Sequence, residues 1–142
     1  LVSSSAASDV YKRQANNSKA ALYMTHAFVE PHKDFEVNQI SIIQDIYTKV
    51  GEENNVLVIP VGVAFDIAYK ELPDIKLHHD DGTHPNLKGT YLAACTVFAS
   101  VYGESPIGLK YDYYGAINEE DKKLLQEIAH KATLKYLKRT IN

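Results

Sequence analysis

Residues 56–61 read Val-Leu-Val-Ile-Pro-Val, an unbroken apolar run rich in β-branched side chains. Such a run shows no alternation of polar and apolar faces. It predicts a parallel strand covered on both sides, since only burial on both faces removes the need for polar positions. Its flanks have a different period. In residues 38–53, Ile40, Ile43, Ile46, Tyr47 and Val50 recur three and four apart, which marks one face of a helix. Residues 62–72 place Phe65, Ala68, Tyr69 and Leu72 on the inner face of a second helix, stopped by Pro73 and Asp74. Upstream, the apolar run of residues 20–27 predicts another buried strand. The order strand, helix, strand, helix is a βαβα unit, which calls for a parallel sheet.

Two strands do not make a stable sheet alone. The expected completion is a three-layer α/β/α fold truncated at its amino-terminal side, with further parallel strands upstream. Downstream, Asn86 is a predicted N-cap for a helix running to Tyr102, with Gly103 just past its end. Asn118, followed by Glu119, Glu120 and Asp121, opens a last helix to about Arg139. The acidic residues suit its positive end, and Lys131, Lys135, Lys138 and Arg139 suit the other. Between these helices lies a loop bearing Tyr111, Tyr113 and Tyr114. Those rings and Tyr102 suit either a sugar-binding rim or a loop packed down on the domain.

Residues 1–14 are serine-rich and carry neither period. They resemble a translated sequencing adaptor, so they are set aside as an artefactual or disordered leader, leaving residues 15–142 as the structured part. A net charge of −3 argues against nucleic acid or an anionic membrane surface as the main partner. No apolar stretch approaches the ~20 residues of a membrane helix. The single cysteine, Cys95, sits in an apolar run and reads as a small buried hydrophobe.

The densest chemistry is in residues 76–86. Three of the six histidines (His78, His79, His84) and two aspartates (Asp80, Asp81) fall within seven residues. A core segment does not tolerate so many ionisable groups. Asp81 and His84 are three apart, with Gly82 between them to permit a tight turn. A carboxylate so placed can fix the tautomer of the imidazole and support the imidazolium that forms when it takes a proton. Two other readings of the loop stand beside this one. One is a metal site at residues 78–84, against which the adjacent His78 and His79 point opposite ways if extended. The other is a non-catalytic α/β binding module. His78, His79 and Asp80 are expected at a solvated loop edge near the pocket mouth, and His26, ending the first strand where pocket residues gather, reads as a satisfied loop histidine in preference to a substrate contact. His32 and His130 are expected at the surface.

Asp81-Gly82-Thr83-His84-Pro85-Asn86 resembles the last conserved block of the SGNH (GDSL-type) serine hydrolases, an Asp-x-x-His-Pro segment before the final core helix. The likeness extends through Gly89-Thr90-Tyr91-Leu92-Ala93-Ala94-Cys95 and back to Val58-Ile59-Pro60-Val61, over about residues 20–110. The resemblance implies a flavodoxin-like α/β/α domain that cleaves esters, often acetyl groups on carbohydrates. It implies His84 as general base and then acid, Asp81 as its orienting partner, no organic cofactor, and a small-molecule or carbohydrate ester as substrate. Export to the periplasm or beyond is implied only in that family members are often exported, and oligomeric state is left open. The same resemblance calls for a serine on a strand-to-helix turn, a glycine and an asparagine, supplied by upstream blocks. None of Ser18, Ser41, Ser100 and Ser105 sits on such a turn.

Overall fold

The structure, a computed structural model, describes residue 16 and residues 18–138. The leader of residues 1–14, Asn17 and Arg139 lie outside the described residues. The chain runs β1 (Ala21–Tyr23), α1 (Gln39–Asn54), β2 (Leu57–Ile59), α2 (Val61–Glu71), α3 (Leu87–Tyr102) and α4 (Glu119–Leu137). β1 and β2 pair in parallel, with Ala21 opposite Leu57 and Tyr23 opposite Ile59. The expected α/β class and the parallel pairing hold.

β1 is shorter than its apolar run. One more ladder bond, Met24 N–H to the Ile59 carbonyl, follows it. The next residue of the partner is Pro60, which has no N–H to give and opens α2. The Met24 carbonyl is instead taken by the N–H of Gly62, in the first turn of that helix. β1 is also less covered than expected, with Ala21 and Tyr23 exposed. α1 turns a narrower face inward than its spacing suggests. Ile40, Ile43 and Tyr47 are half-buried, whereas Ile46 and Val50 are 55% and 38% exposed. Among the described residues α1 packs mainly on α2 and β2, with Thr48 Oγ1 also meeting the Tyr136 hydroxyl of α4 at 2.7 Å, which covers one stripe of it.

The core is built from α2, α3, α4 and β2. Leu92, Leu125, Val61 and Met24 are fully buried. Close approach is set by small residues: a Cβ at Gly62 would lie 2.3 Å from the Thr25 carbonyl oxygen, just after β1. α3 begins as its cap predicts. The Asn86 side chain accepts the Gly89 N–H at 3.1 Å, and Gly103 closes the helix in the left-handed conformation. Asn118 caps α4 in the same way through Asp121 N–H at 2.8 Å. Cys95 is buried, and that burial pushes its thiol up to about 11, which leaves it unreactive near neutrality.

Candidate active site

The hairpin that carries Asp81 and His84 joins α2 to α3. His78 and Pro85 form an antiparallel bridge at its base. The His79 N–H donates to the His84 carbonyl at 2.8 Å, and the Asn86 N–H to that of Leu77 at 2.9 Å. The Asn86 amide also donates to the carbonyls of Lys76 and His78, at 2.8 and 3.2 Å. One residue therefore caps α3 and clamps the hairpin to it.

At the tip, Asp81 Oδ1 accepts the backbone N–H groups of Thr83 and His84, both at 3.0 Å. Its Oδ2 lies 2.6 Å from His84 Nδ1. The backbone N–H of His84, then its ring, then the N–H of Thr83 hold the Asp81 carboxyl well below the usual carboxylate range. The acid stays ionised wherever an enzyme would work. Gly82 makes the turn at φ +71, and its carbonyl accepts the Val29 N–H at 2.9 Å. That bond ties the hairpin to the segment following β1. The His84 side chain is 75% exposed. With Nδ1 committed to Asp81, its Nε2 is the nitrogen left to take a proton from a nucleophile.

The expectation for His78 is overturned. His78 is not at the loop edge but only 7% exposed, while its neighbours His79 and Asp80 are exposed as expected. The bridge to Pro85 turns the His78 ring inward. Its Nδ1 meets the Tyr69 hydroxyl at 2.6 Å, and its Nε2 meets His26 Nδ1 at 3.0 Å. Burial, and then the neighbouring His26, push His78 down to about 4. Burial also lowers His26, whose ring stacks on Phe65. The inward turn of His78 separates the five potential ligands of the loop. Among the described residues there is no group of three or more His, Cys, Asp or Glu able to hold a metal.

Acid stability follows from this geometry. His78 titrates at 6.5 when free and at about 4 in the fold, so between those values the unfolded chain binds more protons. Stability from His78 is therefore complete above about pH 6.5 and is lost as pH falls toward 4. We expect a loss on the order of 2 kcal/mol over that window after allowing for residual solvent contact, with His26 adding in the same direction. Urea unfolding between pH 7 and 4.5 measures it. A flat profile, or one unchanged in His78→Gln, would show that the ring is not held neutral.

Other sequence candidates fall differently. His32 and His130 are half-buried rather than at the surface; His32 stacks on Phe28, and His130 Nδ1 lies 3.1 Å from Ser105 Oγ. That serine oxygen also accepts the Ile107 N–H at 3.2 Å, so the pair anchors a turn. Tyr111, Tyr113 and Tyr114 do not pack down: their rings contact one another and remain exposed, while the Tyr91 hydroxyl holds the loop through the Tyr111 carbonyl at 2.9 Å. Tyr102 is exposed as well. Sequence reasoning missed Tyr69 as a site residue, although it lies on the predicted inner face of α2.

No family model matches the chain, and no curated protein matches it. Among solved structures, it is similar to a DUF4886 family protein from Bacteroides uniformis ATCC 8492, known from a crystal structure at 1.50 Å resolution. The TM-score is 0.74 at 22% sequence identity, over 87% of this chain and 50% of the other. At that identity the likeness shows the fold alone. The chain spans half the length of that protein.

Proposed function

We propose that this chain carries the acid–base half of an SGNH-type serine ester hydrolase of three-layer, flavodoxin-like α/β/α architecture, acting on O-acetyl or similar esters of carbohydrates. The observation that carries the reading is the Asp81–His84 contact of 2.6 Å on a hairpin clamped at both ends, with the far imidazole nitrogen open to solvent. In this reading a serine on an upstream strand-to-helix turn gives its proton to His84 Nε2 and attacks the ester carbonyl. The collapsing tetrahedral species then takes the proton back from His84 onto the leaving alcohol, and water repeats the cycle on the acyl-enzyme. The resident ionised Asp81 supports the imidazolium in both halves. Backbone N–H groups and an upstream asparagine stabilise the oxyanion. The parallel β1–β2 pair and a structural neighbour twice as long support a fold with more strands beside β1.

One observation favours a non-catalytic binding module instead: none of the described serines occupies a strand-to-helix turn, Ser41 and Ser100 lying within helices. Sequencing the source DNA through the junction of Gln14 and Ala15 separates the two. The expected frame continues upstream for a segment about as long as this chain and carries a Gly-x-Ser turn, a glycine and an asparagine block. The rejoined protein then hydrolyses 4-nitrophenyl acetate and is labelled by a fluorophosphonate. An upstream frame without such a serine, or a rejoined protein inert to both reagents, would overturn the esterase reading.

A further inference from the structure

The hydrogen bonds of buried His78 continue to a histidine that the Asp81–His84 pair does not use. His26 lies just past β1, at the carboxyl end of the strand, where parallel α/β folds bind their ligands. Its ring is fixed by stacking on Phe65 at 4.7 Å and by an edge contact with His78 at 4.6 Å. Its partner His78 bridges Pro85, the residue after His84, so the His26 ring sits against the hairpin that carries the pair.

The direction of the chain of bonds follows from counting donors. Tyr69 Oη takes the Leu77 N–H at 3.2 Å, which leaves its own hydrogen for His78 Nδ1. A neutral imidazole that accepts at Nδ1 carries its hydrogen on Nε2. His78 Nε2–H therefore donates to His26 Nδ1. His26 in turn accepts at Nδ1 and carries its hydrogen on Nε2, the nitrogen on the side of the ring away from His78. The reverse order would let His26 Nδ1–H donate both to His78 Nε2 and toward the Ala27 carbonyl at 3.3 Å, and would make Tyr69 Oη a double acceptor. It leaves the hydrogen of the half-buried tyrosine to water and gives up an O–H donor at the shortest contact of the series, 2.6 Å, in exchange for the long Ala27 contact at 3.3 Å.

We infer that His26 is a substrate-contacting, specificity-determining residue: a neutral N–H donor, set in that tautomer by Tyr69 and His78, for a hydroxyl oxygen on the alcohol half of the ester. The alcohol half is assigned because His84 delivers its proton to the leaving alcohol, so a group beside His84 faces that side of the substrate. A fixed N–H donor there selects esters of polyols such as sugars over esters of alcohols without a further hydroxyl. This inference rests on the esterase reading for the substrate but not for the wiring.

The wiring is tested on this chain alone, by two-bond proton–nitrogen correlation spectra of protein labelled with ¹⁵N-histidine at pH 7. Both His26 and His78 are expected to carry hydrogen on Nε2. Tyr69→Phe should move His26 toward the Nδ1–H form, and His78→Gln, whose amide can donate in place of Nε2–H, should retain the Nε2–H form at His26. An Nδ1–H form at His26 in the unmutated chain overturns the inference. In the serine-bearing enzyme, His26→Phe keeps the stack on Phe65. It should lower kcat/KM about tenfold more for an acetylated sugar than for 4-nitrophenyl acetate, the worth of one hydrogen bond. Equal losses on both esters overturn the substrate role alone. No turnover of either ester by the unmutated enzyme overturns the esterase reading and the substrate role together.

Discussion

Under the esterase reading proposed above, replacing Asp81 by Asn in the serine-bearing protein is expected to lower kcat about 10⁴-fold while leaving the melting temperature nearly unchanged. The asparagine Oδ1 can still accept the N–H groups of Thr83 and His84, so the turn survives. What changes is the proton on the ring. The aspartate Oδ2 accepts from His84 Nδ1–H and leaves Nε2 free as a base. An asparagine amide donates to Nδ1 instead, which places the hydrogen on Nε2 and blocks that nitrogen. His84→Ala should cost at least as much, because it removes the base outright. Its side chain is 75% exposed, so the fold should not register the loss. Steady-state kinetics beside thermal melts make the measurement. Activity within tenfold of the parent in either variant would remove the pair from the mechanism.

A Gly82→Ala variant is expected to be about 3 kcal/mol less stable and, under the esterase reading, to lose activity with its stability. Two costs meet at this position. The left-handed backbone at φ +71 disfavours any Cβ by about 1 kcal/mol. The new Cβ would also lie 2.1 Å from the Val29 carbonyl oxygen and 3.0 Å from the His32 nitrogen, both backbone atoms that cannot swing aside. Moving them costs a further 1–3 kcal/mol or so. Relief comes only by opening the hairpin from the segment after β1, which carries His84 away from its place. Gly108→Ala is the internal control. Its φ is +88, yet nothing lies within 4 Å of the added Cβ, so only the backbone cost of about 1 kcal/mol applies. Urea unfolding of both decides the matter: equal losses would mean that the hairpin does not lean on Val29.

Much of this architecture was legible in the amino-acid order because its causes are local. The caps at Asn86 and Asn118 and the stop at Gly103 depend on side chains and φ angles within one turn, so the ends of α3 and the start of α4 could be read directly. The continuous run at residues 56–61 announced β2 and its parallel partner. The Asp81–His84 pair is local too: a glycine between two residues three apart suffices to bring them together.

The tertiary structure decided what depends on distant partners. His78 and His79 are the same residue type side by side, and nothing local says which turns inward. The choice is made by Tyr69 on α2, by His26 beyond β1 and by the bridge to Pro85, which together give the His78 ring hydrogen-bonded burial that His79 cannot find. The same holds for Ile46 and Val50. Their spacing belongs to a helix face, but burial requires a neighbour, and α2 and β2 reach only the stripe of Ile40, Ile43 and Tyr47. Sequence by itself determined the elements and the pair of residues at the hairpin tip, because short-range sterics and hydrogen bonding set them. Only the packing of α2 against the ends of the strands determined which histidine became a solvent-shielded link and which stayed in water.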